Sequence, residues 1–142
     1  MPTFEGFMKA NKKTKPNVFY PATKSLCDGE GKPLLWELRA VSTKEADKLR
    51  EACTTEVPIK GKPGLFRQRV DSGAYTVKLM CAAVVMPNLN DTALQNSYGV
   101  MSAEELLKEM LDDAGEYLEF SQFVQTLCGF TTLMEDVEEA KN

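Results

Sequence analysis

The sequence predicts an α+β fold in which small antiparallel hairpins pack with a mostly helical C-terminal half. Turn chemistry at Asp28-Gly29-Glu30-Gly31 and again at Gly61-Lys62-Pro63-Gly64 separates runs rich in β-branched and aromatic residues. Two capping boxes, Ser42 with Glu45 and Ser102 with Glu105, announce helices. After Pro87, apolar residues recur only at helical spacing.

Taken in order, Phe4, Phe7 and Met8 sit at i, i+3 and i+4 ahead of Lys12, Lys13 and Lys15, so a short N-terminal helix is expected to end before Pro16. A hairpin follows over 18–26 and 34–41. In its second strand Trp36, Leu38 and Ala40 face the core while Glu37 and Arg39 face away. Ser42 opens a helix to about Cys53, with Ala46, Leu49 and Arg50 at helical spacing. A smaller hairpin is expected over 54–70, with Val57 and Ile59 before its turn and Phe66 and Val70 after it. Asp71 caps a helix through Tyr75, Leu79, Ala82, Ala83 and Met86; apolar on most sides, it is the expected central buried helix. Helices headed by Ser102 and spanning Glu116 to Cys128 follow, the second ended by Gly129. A last acidic helix carries Leu133, Met134, Val137 and Ala140. No internal repeat or linker divides the chain, so one domain over residues 1–142 is expected.

Composition narrows the function classes. With 142 residues, 43% hydrophobic and 27% charged, the chain is long enough and apolar enough to fold without staples. Histidine is absent, which removes the usual general base, triad member and metal ligand together. A net charge of -4 repels phosphate backbones, so nucleic acid is not an expected partner. The longest apolar stretch, 80–86, falls far short of the about 20 residues a membrane-spanning helix needs. At the N-terminus the positive charge follows the few apolar residues, inverting the order of a secretory signal. The expected setting is cytoplasmic.

No motif assembles a catalytic, cofactor or metal site. Cys27, Cys53, Cys81 and Cys128 are too widely spaced for a zinc knuckle or a redox dithiol; an even count permits a disulfide framework, but reduced core thiols suit this composition better. Glu104-Glu105 and Asp112-Asp113 are helix neighbours that point apart, as on a solvated face rather than in a catalytic pair. Asn88-Leu89-Asn90-Asp91 lacks the glycine and distal glutamate of an EF-hand and reads as a turn with a helix cap. Neither glycine-rich turn matches a phosphate loop, and Ser25, Ser97 and Ser121 have neither histidine nor a Ser-x-x-Lys partner to activate them. Seven methionines suit an irregular core or an adaptable binding surface.

Three segments carry a resemblance to a known family. They are GKPLLWELRAVSTKEADKLREACT from Gly31, PNLNDTALQNSYGVMSAEELLKEML from Pro87, and the closing VEEAKN. The most specific parts are Pro87 to Asp91 with Leu94, Gln95, Ser97, Tyr98, Gly99 and Val100 behind it, the Trp36-Glu37-Leu38-Arg39 strand, and Leu49-Arg50. The chain resembles the XkdN-like tail assembly chaperones of phages and defective prophages of Gram-positive bacteria.

That resemblance implies a non-catalytic helper in the host bacterial cytoplasm, without cofactor, that holds the phage tape measure protein until the tail tube polymerises around it. The tail tube protein and a second copy of the chain are further candidate partners. A structural tail or neck component retained in the virion is the alternative, and a small enzyme the third reading. The family's binding residues do not transfer position by position.

For a partner-binding surface the sequence offers Leu133, Met134 and Val137, an apolar stripe among Glu135, Asp136, Glu138 and Glu139. Such a stripe suits weak capture of amphipathic helices. It equally suits a final core helix that packs back on the domain.

Overall fold

The computed structural model describes residues 2–130. Its N-terminal segment departs from expectation: Phe4–Phe7 and Lys9–Asn11 are two short 3-10 turns, not one α-helix, and Phe4, Phe7 and Met8 are exposed. A few residues at helical spacing do not outweigh the cost of nucleating a helix when no core receives them.

The first hairpin forms as expected, with shorter strands. β1 (Val18–Tyr20) runs antiparallel to β2 (Trp36–Leu38), Val18 opposite Leu38 and Tyr20 opposite Trp36. Trp36 and Leu38 are buried and Glu37 between them is only partly so, the alternation the sequence implies. Between the strands the chain leaves the ladder as a long loop, held at its neck by an isolated bridge of Cys27 with Pro33.

Ser42 caps α1 (Thr43–Ala52), its hydroxyl accepting from the Glu45 N–H. β3 (Thr54–Pro58) and β4 (Phe66–Val70) form the second hairpin in full register, from Thr54 opposite Val70 to Pro58 opposite Phe66. These two strands make a sheet of their own. Asp71 caps α2 (Ser72–Ala83), which is the central helix: Val77, Leu79, Met80 and Ala83 are buried, and it packs against α1, α4 (Ala103–Met110) and α5 (Ala114–Leu127).

α2 stops at Ala83, short of the expected Met86. Val84–Met86 is instead a strand, β5, antiparallel to the free edge of β2, giving the sheet order β1-β2-β5. The Arg39 N–H donates to the Ala83 carbonyl at 2.8 Å, so the sheet satisfies a group that the helix end leaves open. Two β-branched residues ahead of Pro87 favour that extended conformation.

The remaining described chain is helical. Asp91 caps α3 (Thr92–Ser97), Ser102 caps α4 and Asp113 caps α5. Gly99 and Gly129 end α3 and α5 at φ +71° and +93°, where a side chain would be strained. In each case the glycine N–H and the next N–H return to the last turn, Gly99 to Asn96 and Val100 to Gln95, then Gly129 to Thr126 and Phe130 to Gln125. One apolar cluster joins the sheet to the helices, with Trp36, Leu38, Met80, Leu106, Leu107, Phe120 and Val124 among its most buried members. Phe120 meets Trp36 edge-on at 5.8 Å, and Tyr20 stacks on Phe123 at 4.2 Å.

Candidate functional site

An apolar groove of about 320 Å³ opens where the sheet meets α3. Leu26, Leu34 and Leu35 line it from the loop before β2, Trp36 from β2, Met86 and Pro87 from the end of β5, Leu94 and Tyr98 from α3, and Met110 from α4. No charged residue lines it. Leu35 and Met86 are 61% and 58% exposed, so hydrophobic surface faces solvent at the rim while Trp36 closes the floor.

Local chemistry fixes each wall. The Leu34 N–H donates to the Leu26 carbonyl at 2.8 Å, holding the two ends of the loop side by side. On the opposite wall Asn88 Oδ1 accepts from the Asn90 N–H at 3.0 Å, and Asp91 Oδ1 accepts from the Leu94 N–H at 2.9 Å. Gln95 Nε2 donates to the Leu89 carbonyl at 2.8 Å while Leu89 is buried, anchoring the turn to α3. The segment from Pro87 to Asp91 is therefore the turn and helix cap the sequence implies. Its further role was not visible in sequence: it presents Leu94 and Tyr98 to the groove.

Several of the side chains weighed for catalysis have structural partners. Glu104 pairs with Lys78 at 3.3 Å, and Asp113 caps α5. Ser97 donates to the Leu94 carbonyl, Ser25 contacts Thr23 at 2.8 Å, and Ser121 bonds Gln125. Buried Thr23 donates to Glu116 Oε1, and Glu116 Oε2 accepts from the Lys24 N–H, so this carboxylate ties the β1–β2 loop to α5. All four cysteines are free thiols, but the expected core placement does not hold for all: Cys53 is buried, Cys81 and Cys128 are partly buried, and Cys27 is exposed on the loop before β2. Burial, followed by the nearby Glu104 charge, pushes Cys81 up to about 12, which keeps it protonated at neutral pH. Among the described residues no group of cysteine, aspartate and glutamate is placed to hold a metal ion, and no helix is long and apolar enough to cross a membrane.

Leu133, Met134 and Val137 lie outside the described residues. The groove residues were missed as a site because they come from separate parts of the chain. Their one sequence signal was the resemblance itself: of its three most specific parts, the Trp36 to Arg39 strand and the segment from Pro87 to Val100 each contribute residues to this groove, whereas Leu49-Arg50 does not.

The sequence model of the phage XkdN-like tail assembly chaperone proteins matches residues 4–141. The chain belongs to this family. Among its relatives is the uncharacterized protein YqbN of Bacillus subtilis strain 168, 27% identical over 134 residues, spanning 94% of this chain and 89% of YqbN. The phage-like element PBSX protein XkdN of the same strain is 25% identical over 137 residues, spanning 96% and 91%. A crystal structure of YqbN matches with a TM-score of 0.76 at 21% identity, over 92% of this chain and 99% of that one. The likeness supports the α+β architecture over most of both chains. Tail assembly chaperones of this family are thus the setting in which the groove is to be understood.

Proposed function

We propose that the protein is a non-catalytic tail assembly chaperone that holds the tape measure protein and delivers it to the polymerising tail tube in the bacterial cytoplasm. The observation that carries this reading is the uncharged, Leu- and Met-rimmed groove between β2, β5 and α3. A helix-in-groove contact needs an apolar trough for the apolar face of an amphipathic helix, and flexible thioethers such as Met86 and Met110 adapt to varied side chains. The volume sits near the low end of the about 300–1,000 Å³ of small-molecule sites. Weak, repeated contacts suit a client that must later be surrendered.

Co-expression with the tape measure protein tests this. Leu35→Glu with Met86→Glu places two charges on the exposed rim, where neither side chain supports the core. Loss of client solubilisation with an unchanged thermal melt is expected; undiminished solubilisation would remove the groove from the mechanism. The stripe of Leu133, Met134 and Val137 is proposed as a second contact. Its test is Leu133→Glu with Val137→Glu: lost capture with an intact melt supports binding, whereas a collapsed melt assigns the stripe to the core.

A further inference from the structure

We propose that the β3–β4 hairpin is a docking arm for a second copy of this chain, and that it engages the acidic outer face of that copy's α4. Both outer edges of this two-stranded sheet are unpaired, and most of its residues are exposed. A two-stranded ribbon is marginal by itself, so an arm of this kind gains most from a partner. Its register puts Thr55 beside Arg69 and Val57 beside Arg67 on one face, and the Ile59 N–H bonds the Leu65 carbonyl beyond them. That face therefore combines an apolar tip with two arginines.

Charge selects the occupant. The arm carries Lys60, Lys62, Arg67 and Arg69 against Glu56 alone, although the chain as a whole is acidic. Among the described residues neither arginine has an ion-pair partner. A hollow of about 410 Å³ lies on the same face, bounded by Thr55, Val57, Arg69 and the first residues of α2, where Asp71 is occupied in capping the helix. The complementary surface is on α4, whose buried side carries Leu106, Leu107 and Met110. Glu105 and Glu109 lie at i and i+4 on its exposed side, with Lys108 beside them, and exposed Asp112 follows two residues past the helix end; none of the three acids has an ion-pair partner among the described residues. Arm-against-arm pairing of two copies would bring like charges together, which disfavours that arrangement. The contact joins arm to α4, and it either closes as a reciprocated two-fold pair or propagates as a ring or open chain.

Light scattering after size exclusion, at low and high salt and over a range of concentrations, tests the proposal. Concentration-dependent species larger than a monomer are expected at low salt and should dissociate at high salt. Arg67→Glu with Arg69→Glu, and separately Glu109→Lys with Asp112→Lys, should each weaken association at least about tenfold, with melting temperatures confirming that both variants fold. Mixing the two variants should restore association, because the native arm of one meets the native face of the other and the two reversed surfaces are again of opposite charge. The combined four-residue charge swap should restore self-association. A wild-type monomer under all conditions, association that survives both pairs of substitutions, a mixture that stays monomeric, or low-salt binding of the arm to duplex DNA in place of self-association would each overturn it.

Discussion

Trp36 shows what one side chain decides here. It is 2% exposed, floors the groove and meets Phe120 edge-on, so it links the sheet to α5 and the core to the surface. Trp36→Ala should cost about 3–5 kcal/mol, the range for removing a large buried aromatic, against a typical total stability of about 5–15 kcal/mol. A fall in melting temperature on the order of 10 °C or more is expected; an unchanged melt would mean that the indole contributes little to packing. Its burial was legible because strand alternation places it with Leu38 on one face. The cysteines were legible only as a group. Their wide spacing pointed to free thiols, but only the structure separates exposed Cys27 from buried Cys53 and from Cys81, whose thiol is held protonated. A mild thiol reagent at neutral pH should therefore modify Cys27 rapidly and Cys81 only on unfolding, a difference that peptide mapping reads directly.

At the scale of elements, the capping boxes and turn residues marked α1, α4 and both hairpins, because that chemistry is local. β5 was not legible. Val84 to Met86 continues the apolar run of α2, and its strand conformation depends on pairing with Glu37 and Leu38 far away in sequence. The N-terminal turns failed for the converse reason: the spacing was helical, but no core receives Phe4, Phe7 and Met8. A further link joins strand to helix. Arg39, just after β2, makes a two-pronged contact with Glu45 in the first turn of α1, at 2.8 and 2.6 Å. The Arg39 hydrogen bond, above all, lowers the Glu45 carboxyl to about 2. A carboxyl lowered on folding stabilises the native state above its unfolded value of about 4.5, and that contribution disappears as pH falls through about 2. Both side chains remain more than a third exposed, so solvent limits the pair to about 0.2–1 kcal/mol. In urea melts Glu45→Gln should be less stable than the native chain near pH 7, with the gap closing between about 4.5 and 2; a gap independent of pH would show that the charge contributes nothing.

The groove exists only at the scale of the whole molecule. Leu26 and Leu35 precede β2, Met86 ends β5 and Tyr98 ends α3, so no window of sequence contains it, and no catalytic residue pattern stood in for it. Trp36 and the segment from Pro87 to Tyr98, both within the family-resembling sequence, contribute to its lining, but their convergence is a property of the folded sheet and of α3 anchored by Gln95. The same construction bears on where the protein resides after assembly. A subunit retained in the virion is held by large, well-packed interfaces, commonly well over about 1,200 Å². The proposed role, in which the groove holds a client that the tube later displaces, requires contacts that exchange, and a small apolar groove with an exposed methionine at its rim suits that requirement. Quantitative mass spectrometry of infected or induced cells and of purified particles should therefore find this chain in the lysate and not at structural stoichiometry in mature virions. Copies in the particle at a fixed ratio to the tail tube protein would reject the chaperone reading in favour of a structural tail or neck component, whatever the groove binds.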